Sequence, residues 1–333
     1  MIGRHLLLVP GPTDAVVTLT RRLPATVEAR LALRYALVRN PDDRPLGSDE
    51  LVAAMQNSDA IVSTLGDPFT ADVIRRGAGR CRLIAHFGVG YDNIDVGTAQ
   101  ALGIAVTNTP GVLTDDTADL TMLLLLAATR RATEGTREIQ YGTWSGWRPT
   151  HLLGQRLSGK TLGLVGFGRI GKAVAIRAAA GFGMQVQAWS RSLSTPDAAA
   201  AGVMHCASLD GLLSTSDFVS LHVPRTPETH HLIDARRLAL MPKHAILVNT
   251  ARGDLIDQEA LVDALSREAI AGAGLDVFEH EPSVPESLFA LPNVFALPHI
   301  GSATVETRTA MGNLAADNLE AFFEGRSLPN PVI

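Results

Sequence analysis

Cysteine is nearly absent: Cys81 and Cys206 are the only two in 333 residues. Two thiols so far apart exclude a disulfide framework and a cysteine-ligated zinc site, and they suit a reducing compartment. Long apolar runs are missing too. The longest, residues 120–128 with Thr121 inside it, falls well short of the roughly 20 residues a membrane-crossing helix needs. The opening MIGRHLLLVPGP holds one short apolar run that Pro10 and Gly11 interrupt, too brief for a signal-peptide core. A cytoplasmic protein without a membrane partner is expected. Positive charge is not in excess either: the net charge is -5 and the pI about 6.1, so nucleic acid is not an expected partner. The cluster Arg75, Arg76, Arg80 and Arg82 reads as a solvated helix end.

What is present fits a compact fold, with 46% hydrophobic and 19% charged residues and a length that suggests two domains. Short β-rich runs alternate with helical patterns, the signature of parallel sheets covered by helices. The first series is HLLLV (5–9), LRYALV (33–38), DAIVST (59–64), RLIAHF (82–87) and IAVTN (104–108). A second runs from TLGLVGFG (161–168) through MQVQAW, DFVSLHV, AILVNT and AGAGLDV to VFALPH (294–299). Between them, residues 115–144 predict one helix of six or seven turns and an irregular arm. Ser48 and Thr70 are expected to cap helices whose first turns carry acids. Residues 305–325 predict a final helix.

The stretch VGFGRIGKAV places Gly166, Gly168 and Gly171 in G-x-G-x-x-G spacing between a strand and a helix. That context marks a dinucleotide turn: one glycine for the bend, one for close approach of a pyrophosphate, one for helix against strand. An acid that would bind a ribose hydroxyl is expected at the end of the next strand, and AWSRS offers Ser190, Arg191 and Ser192 instead, 190 - 171 = 19 residues past the last glycine. A guanidinium between hydroxyls suits a 2'-phosphate, so NADP(H) is the preferred cofactor, with NAD(H) possible if Arg191 only stacks on adenine. Ligands of open α/β sheets bind beyond the carboxyl ends of the strands. Three chargeable residues stand there: Arg252 in VNTARGD, Glu281 in FEHEP and His299 in LPHIGSAT. Their separations, 281 - 252 = 29 and 299 - 281 = 18, leave their meeting to the fold. His230 and His231 are adjacent and lack metal-ligand spacing, so no metal is expected.

The segments GVGYDNID (88–95), NTPGVLTDDTAD (108–119), GKTLGLVGFGRIG (159–171), VNTARGDLID (248–257), GLDVFEHEP (274–282) and LPNVFALPHIGSAT (291–304) together resemble the D-2-hydroxyacid dehydrogenase family along nearly the whole chain. Within it the sequence is most similar to glyoxylate/hydroxypyruvate reductases, through TPGVLTDDTADL and WSGWRPT. The resemblance implies two Rossmann-like or flavodoxin-like parallel-sheet domains with helices on both faces and a cleft between them. Residues 1–108 with 300–333 would form a discontinuous substrate domain and 109–299 an inserted dinucleotide domain, hinged near 108–111 and 299–301. It also implies a homodimer through the arm after residue 115.

From the same resemblance, Arg252, Glu281 and His299 are the catalytic residues, while Glu279 and His280 are variable, solvated positions. Leu65 and the backbone N–H groups of Val89 and Gly90 join Arg252 as substrate holders, with Trp147 contributed by a partner subunit. The cofactor site would add Thr117, Arg169, Ile170, His222, Val223, Pro224, Thr229, Thr250, Ala251, Asp276, His299 and Gly301 to the glycines and to residues 190–192. The reaction implied is reduction of a small 2-oxoacid, glyoxylate or hydroxypyruvate, to the 2-hydroxyacid. His299 would give the proton because imidazole titrates near working pH; Glu281 would orient the ring, and Arg252 would meet developing negative charge. Alternatives are an NADH-linked dehydrogenase of another substrate and a non-enzymatic corepressor that senses the nucleotide. The corepressor would need long partner-binding extensions, and a phosphoglycerate dehydrogenase would need an added domain where 333 - 299 = 34 residues follow His299. A formate enzyme would carry Gln ahead of the histidine, where Leu297-Pro298 stands.

Overall fold

The computed structural model describes residues 6–9, 11 and 13–333. The chain forms two compact units, one running to Leu113 and resuming over Ala303–Ile333, the other Thr114–Ser302. These junctions fall a few residues beyond 108/109 and 299/300, for local reasons. Val112 and Leu113 pack into the first unit's core, and Thr109 N–H donates to the Gly88 carbonyl (2.9 Å). Ile300 and Gly301 are instead tied to Asp276 of the second unit by N–H bonds of 2.8 Å each.

The first unit carries β1 (Leu7–Val9), β2 (Val16–Leu19), β3 (Ala36–Arg39), β4 (Ala60–Ser63), β5 (Leu83–His86) and β6 (Ala105–Thr107). They lie in the order β1-β3-β2-β4-β5-β6, parallel except for β1 against β3. Leaving the edge strand aside, that is the flavodoxin-like order. Strands β4 and β5 are buried throughout and read as continuous apolar runs because helices cover a parallel sheet on both faces. The strand in LRYALV starts later than expected: Leu33 caps the helix Ala25–Ala32 and is exposed, so only Ala36–Arg39 pairs. His5 of HLLLV lies outside the described residues. Strand β2 was not anticipated; its four residues follow a turn-rich stretch and give too short a period to read.

The second unit holds β7 (Thr161–Val165), β8 (Gln185–Trp189), β9 (Met204–His205), β10 (Phe218–Leu221), β11 (Ile246–Asn249), β12 (Gly272–Leu275) and β13 (Val294–Ala296). Their order is β13-β12-β11-β10-β7-β8-β9, all parallel. The chain reverses direction across the sheet between β7 and β10, the position where doubly wound folds bind ligands. Two-residue β9 was also not anticipated. The single long helix expected over 115–144 is two, Thr114–Thr129 and Ala132–Gln140, because Arg131 takes a left-handed conformation (φ 55°) that ends the first. Thr70 caps its helix through a bond from Val73 N–H (3.3 Å). Ser48 is not a cap: Gly47 occupies that position, and Glu50 reaches back to its N–H (2.9 Å). The tail helix is Val305–Phe323.

Candidate active site

The turn after β7 is shaped by what its glycines lack. Gly166 has φ +99°, and a Cβ there would lie 2.6 Å from the His222 carbonyl carbon; one on Gly171 would lie 2.5 Å from the Gly166 carbonyl oxygen. Side chains at either place would drive β7, the residues after β10 and the following helix apart. Gly168 is exposed, with open space where a Cβ would point, at the start of the helix Arg169–Ile176. Unpaired N–H groups and a helix dipole at such a point suit a pyrophosphate. Arg169 is exposed and Ile170 half-buried beside it.

Ser190 follows β8 directly, and Gly166 N–H donates to the carbonyl of Trp189 just before it (2.8 Å), so residues 190–192 end the strand next to the glycine turn. Arg191 and Ser192 are exposed and Ser190 half-buried. The carboxyl of exposed Glu228 is held below its ordinary value by the Thr226 hydroxyl, its own backbone and the Arg191 charge. An acid therefore stands near Arg191 from the loop after β10, where sequence reading looked only along the strand end. In that loop His222 accepts or shares a bond with Ser220 (2.9 Å), and burial pushes its imidazole down to about 4, so the ring is neutral. Val223 is half-buried and Pro224 exposed. Buried Thr229 is spent within the loop, accepting from Thr226 N–H and donating to the Pro224 carbonyl, each at 2.8 Å.

Three strand ends bring Arg252, Glu281 and His299 together. After β11, Asn249 folds the chain back by donating to the Arg252 carbonyl (2.7 Å) and accepting from Ala251 N–H (3.0 Å). Thr250 is pinned there through Thr121 (3.0 Å). Gly253 then lies against the turn after β12, since a Cβ on it would sit 1.8 Å from the Phe278 carbonyl carbon. That turn is closed by Glu281, whose Oε1 accepts Phe278 N–H (3.0 Å). Its Oε2 is 2.7 Å from His299 Nδ1. Asp276 aims the histidine from below. Its carbonyl accepts His299 N–H, its carboxylate accepts the N–H groups of Ile300 and Gly301, all at 2.8 Å, and His299 adopts φ 55°, an outlier that surrounding bonds must hold. Thr117 adds a bond to the Gly301 carbonyl (3.2 Å).

Burial acts to raise the Glu281 carboxyl, but the bond and charge of His299, Phe278 N–H and the Arg252 charge outweigh it and hold it below the ordinary value. Asp276 goes the other way, lifted by burial first, although the N–H bonds of its loop and the His299 charge oppose this. Glu281 is thus the charged acceptor and keeps a proton on Nδ1, which leaves Nε2 to face a reacting oxygen. Side-chain exposures of 27% for His299 and 35% for Glu281 leave that nitrogen reachable.

In the first unit, the first three carbonyls of the GVGYD turn are engaged. Gly88 accepts from Thr109 N–H (2.9 Å), Val89 from the Asn108 amide (2.8 Å) and Gly90 from His86 Nε2 (2.9 Å), while His86 Nδ1 meets Ser63 (3.0 Å). Among the described residues, the Val89 and Gly90 N–H groups donate to nothing. Two adjacent free N–H donors suit an anion. Leu65 lies alongside, with its Cδ2 3.2 Å from where a Gly88 Cβ would stand.

Glu279 corrects the expectation that it is solvated. Its side chain is 15% exposed and accepts from His231 Nε2 (2.8 Å) and Gln258 N–H (3.3 Å); His280 is exposed. Nothing in the sequence signals this pairing across 279 - 231 = 48 positions, nor His86 bracing Gly90. Trp144 and Trp147 are 53% and 81% exposed.

A dinucleotide sheet that presents an imidazole–carboxylate pair at the same strand ends belongs to the nicotinamide-dependent oxidoreductases. Residues 122–301 match the family model described as "D-isomer specific 2-hydroxyacid dehydrogenase, NAD binding domain". The chain is 45% identical over 320 residues to the glyoxylate reductase of Thermococcus litoralis, covering 95% of this chain and 96% of that one. It is 40% identical over 314 residues to the glycerate dehydrogenase of Hyphomicrobium methylovorum, covering 94% and 97%. A solved structure of the NADPH-dependent glyoxylate/hydroxypyruvate reductase of Sinorhizobium meliloti, in complex with NADP and malonate, is similar with a TM-score of 0.85 at 36% identity, covering 96% and 97%. The chain belongs to the D-2-hydroxyacid dehydrogenase family.

Proposed function

We propose that the protein reduces a small 2-oxoacid, glyoxylate or hydroxypyruvate, to the 2-hydroxyacid, with NADP(H) preferred over NAD(H). The observation that carries this reading is the 2.7 Å pairing of His299 Nδ1 with Glu281 beside Arg252. With its pyrophosphate at the glycine turn, the cofactor would supply hydride from its nicotinamide. His299 delivers a proton from Nε2 to the forming alkoxide, and Glu281 steadies the imidazolium before transfer. Arg252 meets the carbonyl oxygen as charge grows on it. The Val89 and Gly90 N–H groups take the carboxylate, with Leu65 shaping the approach. The relatives' names support the substrate class: glyoxylate reductase and glycerate dehydrogenase. A panel of 2-oxoacids crossed with NADH and NADPH tests the reading; no consumption of either reduced cofactor would favour a binding role.

Several consequences are measurable. Arg191→Ala is expected to raise KM for NADPH about tenfold, the worth of one charge-assisted contact of ~1.4 kcal/mol, and to leave KM for NADH nearly unchanged. Equal effects on both cofactors would remove the basis for NADP preference. His86→Ala should free the Gly90 carbonyl and raise KM for the 2-oxoacid up to tenfold with a smaller change in kcat, since a lost neutral hydrogen bond is worth ~0.5–1.5 kcal/mol. An altered kcat at constant KM would mean that His86 braces something other than the carboxylate holder.

A homodimer through the arm is supported by exposed Ile139, Tyr141, Trp144, Trp147 and Leu153, a concentration of apolar surface that marks an association site. Trp147 is proposed to reach the partner's substrate site and limit substrate size. Trp147→Ala should therefore change the ratio of kcat/KM for hydroxypyruvate over glyoxylate, and an unchanged ratio ends that idea. No helix among the described residues is long and apolar enough to cross a membrane. A cytoplasmic location accords with free, unpaired Cys81 and Cys206.

A further inference from the structure

Beside the turn that carries Glu281, the fold brings two imidazoles of the loop after β10 to the carboxylate of Glu279, which follows β12. One potential ligand atom from each of His230, His231 and Glu279 lies within 4.8 Å of the others. The histidine rings stack with centroids 3.9 Å apart, and His231 Nε2 is 2.8 Å from Glu279 Oε1. We propose that these three side chains bind one divalent transition-metal ion, Zn²⁺ or a close relative, which joins the loop after β10 to the turn that carries Glu281.

Chemistry sets the class of ion. Two imidazoles and one carboxylate form the nitrogen–oxygen donor set that Zn²⁺, Co²⁺ and Ni²⁺ favour, whereas Mg²⁺ and Ca²⁺ favour oxygen alone. Bonds of about 2.0–2.2 Å in tetrahedral geometry place ligand atoms roughly 3.3–3.6 Å apart, so binding would draw the three donors closer than the 4.8 Å they now share. The ion would take the place of the hydrogen between His231 and Glu279, which moves to Nδ1 or to solvent. Exposed His230 provides the entry path and leaves a fourth position to water.

The surroundings already hold the ligands in place, as metal sites require. Gln258 N–H donates to Glu279 Oε2 and the Gln258 side chain accepts Glu279 N–H, each at 3.3 Å. His231 N–H donates to the Asp254 carbonyl (2.8 Å), His230 N–H to the Thr226 carbonyl (3.1 Å). His231 sits at φ 48°, a left-handed conformation that histidine adopts more readily than most residues with a side chain. Adjacent histidines do not give a recognisable ligand spacing, so the expectation of no metal missed a donor that arrives from 48 positions away.

The proposal is separate from the catalytic reading and has its own test. Chelator-treated protein titrated calorimetrically with Zn²⁺ should take one ion per chain at this site, and Co²⁺ should give a visible absorption band of low-symmetry coordination. His230→Ala, at an exposed position, and Glu279→Gln should each weaken Zn²⁺ binding at least tenfold, the usual cost of losing one ligand or its support, while His299→Asn leaves it unchanged. Absence of binding, equal affinity in all variants, or loss in His299→Asn would each overturn the proposal; the last would move the ion to the catalytic pair.

Discussion

Replacing His299 with asparagine is expected to lower kcat for 2-oxoacid reduction by about 10² to 10⁴-fold, the range a positioned proton donor contributes. Asparagine keeps a polar group of similar reach near Glu281 but has no proton to transfer at working pH. KM for the cofactor should change little, because the glycine turn remains. In the wild type, reduction consumes a proton that the imidazole delivers, so the variant should lose the part of the pH dependence that His299 carries. On the acid side, the Glu281 carboxyl is lowered from its ordinary 4.5. Its charge is therefore present above that value, and activity that depends on it is lost only as pH falls below it. Steady-state kinetics of the variant across pH checks both limbs.

The second large effect is at Arg252. Truncation to alanine should reduce kcat/KM by about 10³-fold, comparable with removing a charged donor from a developing oxyanion. Lysine restores the charge without the planar fork, so Arg252→Lys should recover only part of the loss. Glu281 would also lose one of the charges that hold its carboxyl low, which shifts the acid limb upward. If Arg252→Ala left kcat/KM within a few-fold of wild type, the guanidinium would not be touching substrate. A related structural expectation concerns Gly253, where a methyl group would meet the Phe278 backbone at 1.8 Å; the turn bearing Glu281 must move to admit it.

How much of this was legible depended on how locally each demand is written. The glycine turn could be read because Gly166, Gly168 and Gly171 answer backbone requirements within six residues. Strands β4 and β5 were legible as apolar runs, whereas β2 and β9 are too short to show a period. The break at Arg131 left no trace, since no glycine or proline marks it and an exposed arginine takes the left-handed conformation there. Arg252, Glu281 and His299 could be placed at strand ends, but their roles came only from family resemblance, because separations of 29 and 18 residues carry no geometry. Resemblance was also what misplaced Glu279 in solvent: its partner His231 comes from another loop. The bracing of Gly90 by His86 is only four residues long, yet it depends on how a turn folds back over the end of β5.

The central claim is that Glu281 acts through His299 as one proton-donating unit. A double-mutant cycle of Glu281→Gln and His299→Asn on kcat tests it most directly. If the claim holds, the double variant is no slower than His299→Asn alone, since the carboxylate has nothing left to orient. Losses that multiply would show two independent contributions and contradict the account.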